Sequence, residues 1–366
     1  MRATAAAFVR DTVKPGVAAW ERDGRYPRAA VAASGLTGLF CPPDLGGSGL
    51  GFPAGMEVFE ELGRGDAALA FSLSMHNAVA AAVAGCEDAG LRSRWGADLA
   101  AGRALGGFSL TEPHAGSDAT AITTLATRSG AHWSVTGRKA WVSLAGEADV
   151  FLVVCKTSPA PGHSDIALLA VEAAGPGVSF PLHYRTAAAA FLPIGEMELD
   201  EAPGVVVAPP GAGMRAALGA IDVARCDIAA IACGLHAEAL DLALGYARQR
   251  HAFGRPLLAL DTMRFALADV LTDLEAGRLL YARAAGLLGT PAGTVATAHA
   301  KRFCPDAALR AAVACSEVLG AYGWLADTPL PRFISMAKML QVVDGTAEIQ
   351  RLVIGRELLR MAKELS

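Results

Sequence analysis

The hydrophobic period of this chain changes twice, and that double change limits the fold more than any single motif. Up to about residue 105 the Ala- and Leu-rich segments 56–63, 67–84 and 88–101 read as helices, and the Gly/Pro cluster Cys41–Gly49 must be a loop. From about 106 to 208 the pattern shortens. Trp133 to Thr136 alternates, Val150 to Cys155 and Ile166 to Val171 are β-rich runs, and Gly175-Pro176-Gly177 is a turn. From Gly213 the helical period returns, with Ile228, Ile231, Ala232, Leu235, Ala239 and Leu242 spaced for one buried face. Further helices are predicted over 262–288, about 294–321 and 346–363, the last burying Ile349, Leu352, Val353 and Leu359. The prediction is a mainly α protein with a small β domain, divided at 1–105, 106–208 and 209–366. The β runs are not interleaved with helices, so a parallel doubly wound sheet is disfavoured. No G-x-G-x-x-G stands at a strand-to-helix turn, which argues against a Rossmann site.

A length of 366 residues suits two or three packed units. With 53% hydrophobic and 19% charged residues the chain has ample apolar surface to bury, which excludes a disordered protein. The net charge of −4 gives no footprint for nucleic acid. No window is expected to span a membrane, because the best one, 228–246, is broken by His236, Glu238 and Asp241. The opening residues turn charged at Arg10 and Asp11, too soon for a secretory signal. Seven scattered cysteines without a C-x-x-C predict buried thiols in a reducing cytoplasm, with no metal site.

The densest motif is Gly107-Phe108-Ser109-Leu110-Thr111-Glu112-Pro113-His114-Ala115-Gly116-Ser117-Asp118, where helix gives way to strand. Small and hydroxyl residues in such a bend let backbone and hydroxyl groups approach a flat polar ligand, though a capped turn explains them equally well. This segment resembles the flavin-binding signature of the acyl-CoA dehydrogenases. Three further blocks agree in order and spacing: Gly137 to Ser143, Tyr246 to Pro256, and Leu340 to Arg351. The resemblance spans about residues 35–360. It implies a helical N-terminal domain, a β-barrel-like middle domain and a C-terminal four-helix bundle.

By that resemblance, Phe108, Leu110, Thr111, Gly116 and Ser117 cradle the isoalloxazine ring of FAD, Trp141 packs beside it, and Ser143 stands near flavin N5. Arg250 and Phe253 grip the FAD of a neighbouring subunit, which implies a homodimer or homotetramer with the cofactor near the interface. Thr346 and Glu348 complete the cofactor contacts. Ser117, Asp222, Arg225 and Arg356 match positions on the acyl-thioester side. Read alone, Asp222 and Arg225 are equally an i, i+3 ion pair on a helix surface. Asp344 matches the catalytic base, which removes the proton α to the thioester while hydride leaves the β-carbon for the flavin.

The departures are specific. The family's base is normally glutamate, and Asp344 is one methylene shorter; the residue type alone would also suit a helix N-cap. Some relatives carry the base on an earlier helix, where this chain has Ala224. Glu317 and Asp261 stand where glutamines are usual, and His76 falls near the expected acyl pocket but reads more readily as a satisfied core histidine. The short N-terminus, Ala-rich composition and unusual base resemble members that oxidise carrier-protein thioesters in secondary metabolism, such as those making methoxymalonyl-type polyketide extender units. An acidic carrier protein calls for a basic rim, for which Arg185 and Arg332 in loop-like segments are the candidates, although each reads first as an ordinary solvated arginine. The leading expectation is an FAD-dependent dehydrogenase of an acyl thioester on CoA or on an acyl carrier protein, with the electron acceptor left open. Nitroalkane oxidase, which has aspartate at this position, makes a flavin oxidase the alternative, and a flavin-free interaction protein on the same scaffold is the third reading.

Overall fold

A computed structural model describes residues 1–130, 132–159 and 165–365. The chain forms two compact units. One comprises Met1–Val17, Phe52–Phe71 and Asp222–Ser366, the other Ala18–Gly51 and Ser72–Ile221. Packing thus distributes the first sequence segment over both. The leading helices are α1 (Arg2–Phe8), α2 (Lys14–Asp23), α3 (Arg28–Ala33), α4 (Phe52–Gly65), α5 (Ala67–Ala84) and α6 (Ala89–Ala100).

The second unit is built on strands β1 (Gly106–Ser109), β2 (Leu125–Ser129), β3 (His132–Ser143), β4 (Val150–Lys156), β5 (Ile166–Glu172), β6 (Val178–Ser179) and β7 (Ile194–Ala208). Around the sheet β2 pairs with β3, β3 with β7, β7 with β5 and β5 with β4. Strand β4 also takes β1 in parallel and meets β2 at Leu125–Lys156, so the sheet closes into a barrel. Strands β4 and β5 are apolar and buried on both faces up to their last residues, Lys156 and Glu172. Val150, Leu152 and Val154 join a cluster with Val79 and Val83 of α5 and Leu91 and Leu99 of α6.

Helix α5 corrects one expectation from the sequence. It carries no charged residue and is long and apolar enough to cross a membrane, more so than 228–246, yet 83% of it is buried inside the protein. Its polar side chains are satisfied there. His76 Nδ1 accepts from the Gly106 N–H at 3.0 Å, which places the ring proton on Nε2, 3.0 and 3.1 Å from the Thr37 and Leu99 carbonyls. Burial pushes its pKa down to about 4, so it is a neutral core histidine.

The first unit ends in α7 (Gly213–Gln249) from Asp222 onward, a hairpin of β8 (His251–Ala252) and β9 (Arg255–Pro256), α8 (Asp261–Leu287), α9 (Pro291–Leu319), α10 (Leu330–Val342) and α11 (Ala347–Glu364). From residue 224 to 240, α7 is buried on every side. Helix α4 lies backbone to backbone against it. A Cβ on Gly63 would come 2.3 Å from the Ile231 carbonyl oxygen, and one on Gly234 2.0 Å from that of Glu60. A side chain at either position would force the helices apart, at roughly 1–3 kcal/mol. The buried Glu60 takes two bonds from Arg278, at 3.0 and 2.7 Å, and one from the Tyr281 hydroxyl.

Two expectations fail at the C-terminal end. Helix α10 was not anticipated. Helix α11 forms over the predicted range but buries only Gln350, leaving Leu352 and Leu359 exposed and Ile349 and Val353 partly so. Its apolar stripe is real, but its own chain supplies no cover. All seven cysteines are buried free thiols.

Candidate functional site

In the first unit, α10 stops at Val342 and the chain turns through two residues of positive φ, Asp344 (52°) and Gly345 (100°), into α11. Asp tolerates this left-handed region better than most residues. At Gly345 a side chain is excluded as well by φ, and its Cβ would meet Gln350 Nε2 at 3.0 Å and Arg225 Nη2 at 3.1 Å. Thr346, not Asp344, is the N-cap of α11, accepting from the Ile349 N–H. That releases the Asp344 carboxyl from capping duty.

Arg225, buried on α7, donates from Nε to the Asp344 carbonyl at 2.9 Å and from Nη1 to Asp222 at 3.0 Å. Asp222 is held in turn by the Thr294 hydroxyl of α9 at 2.7 Å. The i, i+3 pair therefore exists, but it is part of a buried chain of contacts that fixes the peptide after the predicted base. The Asp344 carboxyl oxygen Oδ2 is buried with no hydrogen-bond partner. Burial pushes its pKa up to about 6, against the opposing pull of Lys301 and Arg225. Among the described residues the backbone N–H of Asp344 has no acceptor. The result is a carboxylate with one buried, unpaired oxygen beside a free backbone donor. Ala224 is buried, and no carboxylate takes its place.

In the second unit, the Glu112 carboxylate anchors the densest motif. It accepts from Thr123 N at 2.7 Å, Thr123 Oγ at 2.8 Å, Thr124 N at 2.9 Å and Lys139 Nζ at 2.9 Å. Lys139 also donates to the Leu110 carbonyl at 3.0 Å. Burial penalises both charges, yet the ammonium and the hydrogen bonds hold the Glu112 carboxyl down to about 2. This pair ties the bend to β3, and Phe108, Leu110 and Thr111 lie half-buried along it with Gly116 and Ser117 exposed.

Further along β3 the register against β7 shifts between Lys139 and Val142, and this bulge carries Trp141 at φ 57°. The indole is 62% exposed and packs on Tyr184, with ring centroids 4.4 Å apart. The Tyr184 hydroxyl donates to Glu196 at 2.9 Å, and Arg138 grips the same carboxylate at 2.7 Å. Ser143 is half-buried at the end of the strand. The uncovered indole face can stack against a flat ring.

Arg250 follows α7, exposed, with no carboxylate partner among the described residues. Phe253 and Gly254, at φ 51° and 76°, form the two-residue turn between β8 and β9, and the Phe253 ring is 92% exposed. Two consecutive positive φ values are what the primed hairpin turns require. Glu348 pairs with Arg351 on exposed α11, and Arg356 is exposed on the same helix. Glu317 is exposed, and the exposed Asp261 binds Arg264. Arg332 is corrected: it lies on α10, not in a loop, and its Nε donates to Asp66 at 2.8 Å. Arg185 remains exposed in a loop.

In the second unit the exposed indole of Trp141 and the hydroxyls of Thr111, Ser117 and Ser143 suit a flat ring such as the isoalloxazine of FAD. In the first unit the exposed guanidinium of Arg250 suits a pyrophosphate. Three contributors escaped the sequence reading. Lys301 and Tyr184 lie outside the motif blocks, and Glu112 and Lys139, though inside two of them, give no sign in sequence that they pair, because each role comes from a partner distant in sequence.

The sequence matches three family descriptions: "Acyl-CoA dehydrogenase, N-terminal domain" over residues 1–103, "middle domain" over 107–202 and "C-terminal domain" over 211–359. An acyl-CoA dehydrogenase of Bacillus subtilis is 33% identical over 370 residues, covering 98% of this chain and 97% of that one. The butyryl-CoA dehydrogenase of Megasphaera elsdenii superposes with a TM-score of 0.93 at 29% identity, covering 98% and 97% of the two chains. A glutaryl-CoA dehydrogenase of Mycobacterium smegmatis in complex with FADH2 shares the fold with a TM-score of 0.90 at 24% identity, covering 98% and 93%.

Proposed function

Since this chain belongs to the acyl-CoA dehydrogenase family, with FAD as its cofactor, we propose that it oxidises an acyl thioester by removing the α-proton at Asp344. The carrying observation is the state of that residue: a buried Oδ2 with no donor, on a backbone pinned by Arg225. A desolvated carboxylate is a stronger base than one in water, and its pKa near 6 leaves it ionised at neutral pH. The Asp344 N–H supports a role in polarising the thioester carbonyl, which acidifies the α-C–H; one such preorganised donor contributes roughly 10²–10³ in rate. FAD, when bound, supplies the two-electron acceptor for the hydride leaving the β-carbon. Phe108, Leu110, Thr111, Gly116, Ser117, Trp141 and Ser143 hold the ring side of the cofactor, Thr346 and Glu348 contribute further contacts, and Arg250 and Phe253 reach the FAD of a neighbouring subunit. Ser117, Asp222, Arg225 and Arg356 serve the thioester. Exposed Phe253 and the bare stripe of α11 support a homodimer or homotetramer, and the fully buried thiols support a cytoplasmic setting.

The test is Asp344→Asn, which keeps shape but cannot accept the proton. FAD remains bound, and its reduction by an acyl-CoA panel falls by about 10²–10⁴ or more. Full reduction by the variant would place the base elsewhere. The finer reading is a carrier-protein thioester in secondary metabolism. Arg332 is committed to Asp66, so the rim depends on Arg185, and the reading requires kcat/KM for an acyl carrier protein to exceed that for the same acyl group on CoA, with salt eroding the gap. The aspartate itself favours a second reading, an oxidase, which rapid reoxidation of the substrate-reduced enzyme by O₂ would establish.

A further inference from the structure

Lys301 of α9 is buried, and its ammonium donates to the Leu340 carbonyl of α10 at 2.5 Å, four residues before Asp344. It acts electrostatically on the Asp344 carboxyl, yet no hydrogen bond or ion-pair contact joins the two. The charges around the site assign it by elimination. Arg225 is already engaged, with Asp222 and with the Asp344 carbonyl. Asp306, the other acid acting on Lys301, is held by Arg302 and by Gln341 Nε2 at 2.8 Å. Glu348 and Arg351 of α11 are exposed and satisfy each other. Among the described residues facing the site, Lys301 is therefore the buried cation without a carboxylate of its own.

We propose that Lys301 is a positioning residue for Asp344: fixed on the Leu340 carbonyl, its ammonium supplies the countercharge that lets the carboxylate exist in the interior while leaving Oδ2 free for a C–H. The separation matters chemically. A direct ammonium–carboxylate hydrogen bond would occupy the lone pair that must take the proton and would stabilise the charged base too strongly. A cation parked on a neighbouring carbonyl favours the ionised form through space and leaves the lone pair available. The same bond fixes the last turn of α10, from which the loop bearing Asp344 departs. Burial pulls the Lys301 pKa down and pushes that of Asp344 up, so each depends on the other to remain charged.

This inference rests on Asp344 being the base, and its test separates the two. In the FAD-loaded protein without substrate, the Asp344 carboxyl is titrated by infrared difference against Asp344→Asn. In Lys301→Met the midpoint rises by about one pH unit or more, and the pH profile of flavin reduction by an acyl-CoA shifts upward equally. A midpoint that does not move overturns the proposal, even in an active enzyme. Should Lys301→Met not fold, ε-¹³C-lysine NMR of Asp344→Asn gives the reciprocal reading: the Lys301 midpoint falls when the carboxylate is removed, and an unchanged midpoint rejects the coupling. A protein whose flavin no thioester reduces sinks the dehydrogenase reading and leaves both titrations interpretable.

Discussion

Arg225 and Asp344 are joined through the backbone: the guanidinium Nε donates to the Asp344 carbonyl oxygen at 2.9 Å, not to its carboxylate. The arginine therefore orients the base without neutralising it. Arg225→Gln should slow flavin reduction about a hundredfold, the cost of a misplacement of about 1 Å, while FAD affinity stays unchanged. Single-turnover reduction and a cofactor titration measure the two separately. Equal loss of both would mean that Arg225 merely holds the fold.

The rate of flavin reduction should rise with pH through about 6 and then level. The base works only when deprotonated, and burial has raised its pKa to about that value from 3.8. Stability runs the opposite way. Between pH 3.8 and about 6 the folded Asp344 binds more proton than the unfolded one, so its contribution is present below 3.8 and is lost as pH rises through 6. A reduction profile with its midpoint near 4 would show the carboxyl to be solvated.

Breaking the Glu112–Lys139 pair should destabilise the protein by about 3–5 kcal/mol, because a buried charge loses its partner. Urea unfolding of Glu112→Gln at neutral pH measures this. Glu112 has its folded pKa depressed from 4.5 to about 2, so its stabilisation is present above 4.5 and lost as pH falls towards 2. The gap between wild type and variant should narrow over that window. A constant gap would assign the loss to packing.

Tyr184→Ala removes the ring against which Trp141 rests and should weaken FAD binding roughly 2- to 12-fold, the equivalent of an aromatic pair worth about 0.5–1.5 kcal/mol. Tyr184→Phe keeps the ring and should bind FAD nearly as wild type. If both variants behave alike, the Glu196 contact, not the stacking, positions the indole.

The period changes at about 106 and 208 placed the barrel because strands buried on both faces read as continuous apolar runs, as in Val150 to Cys155. The failures had two causes. Leu352 and Leu359 lie on a genuine amphipathic stripe, but periodicity records that a face is apolar and not what covers it. Arg332 looked like a loop cation because Pro329 and Pro331 mask the start of α10, where proline suits the first turn. The blocks that name Asp344 and Trp141 were legible. The groups that set their chemistry were not, since Lys301 lies 43 residues from Asp344 and Tyr184 43 from Trp141 (344 − 301 and 184 − 141).

The uncharged helix α5 has a consequence for how this protein is made. Its apolar cluster includes Val83 and Ala84 and is completed only by Ala217, 133 residues later (217 − 84). At about 5–20 residues per second, a segment with the hydropathy of a membrane anchor waits roughly 7–27 s on the ribosome before its full cover has been synthesised. During that interval the helix has the length and composition of a membrane span, and only the later residues that pack on it distinguish it from one. The order of synthesis, as well as the stability of the finished fold, thus sets how long this apolar surface stays uncovered.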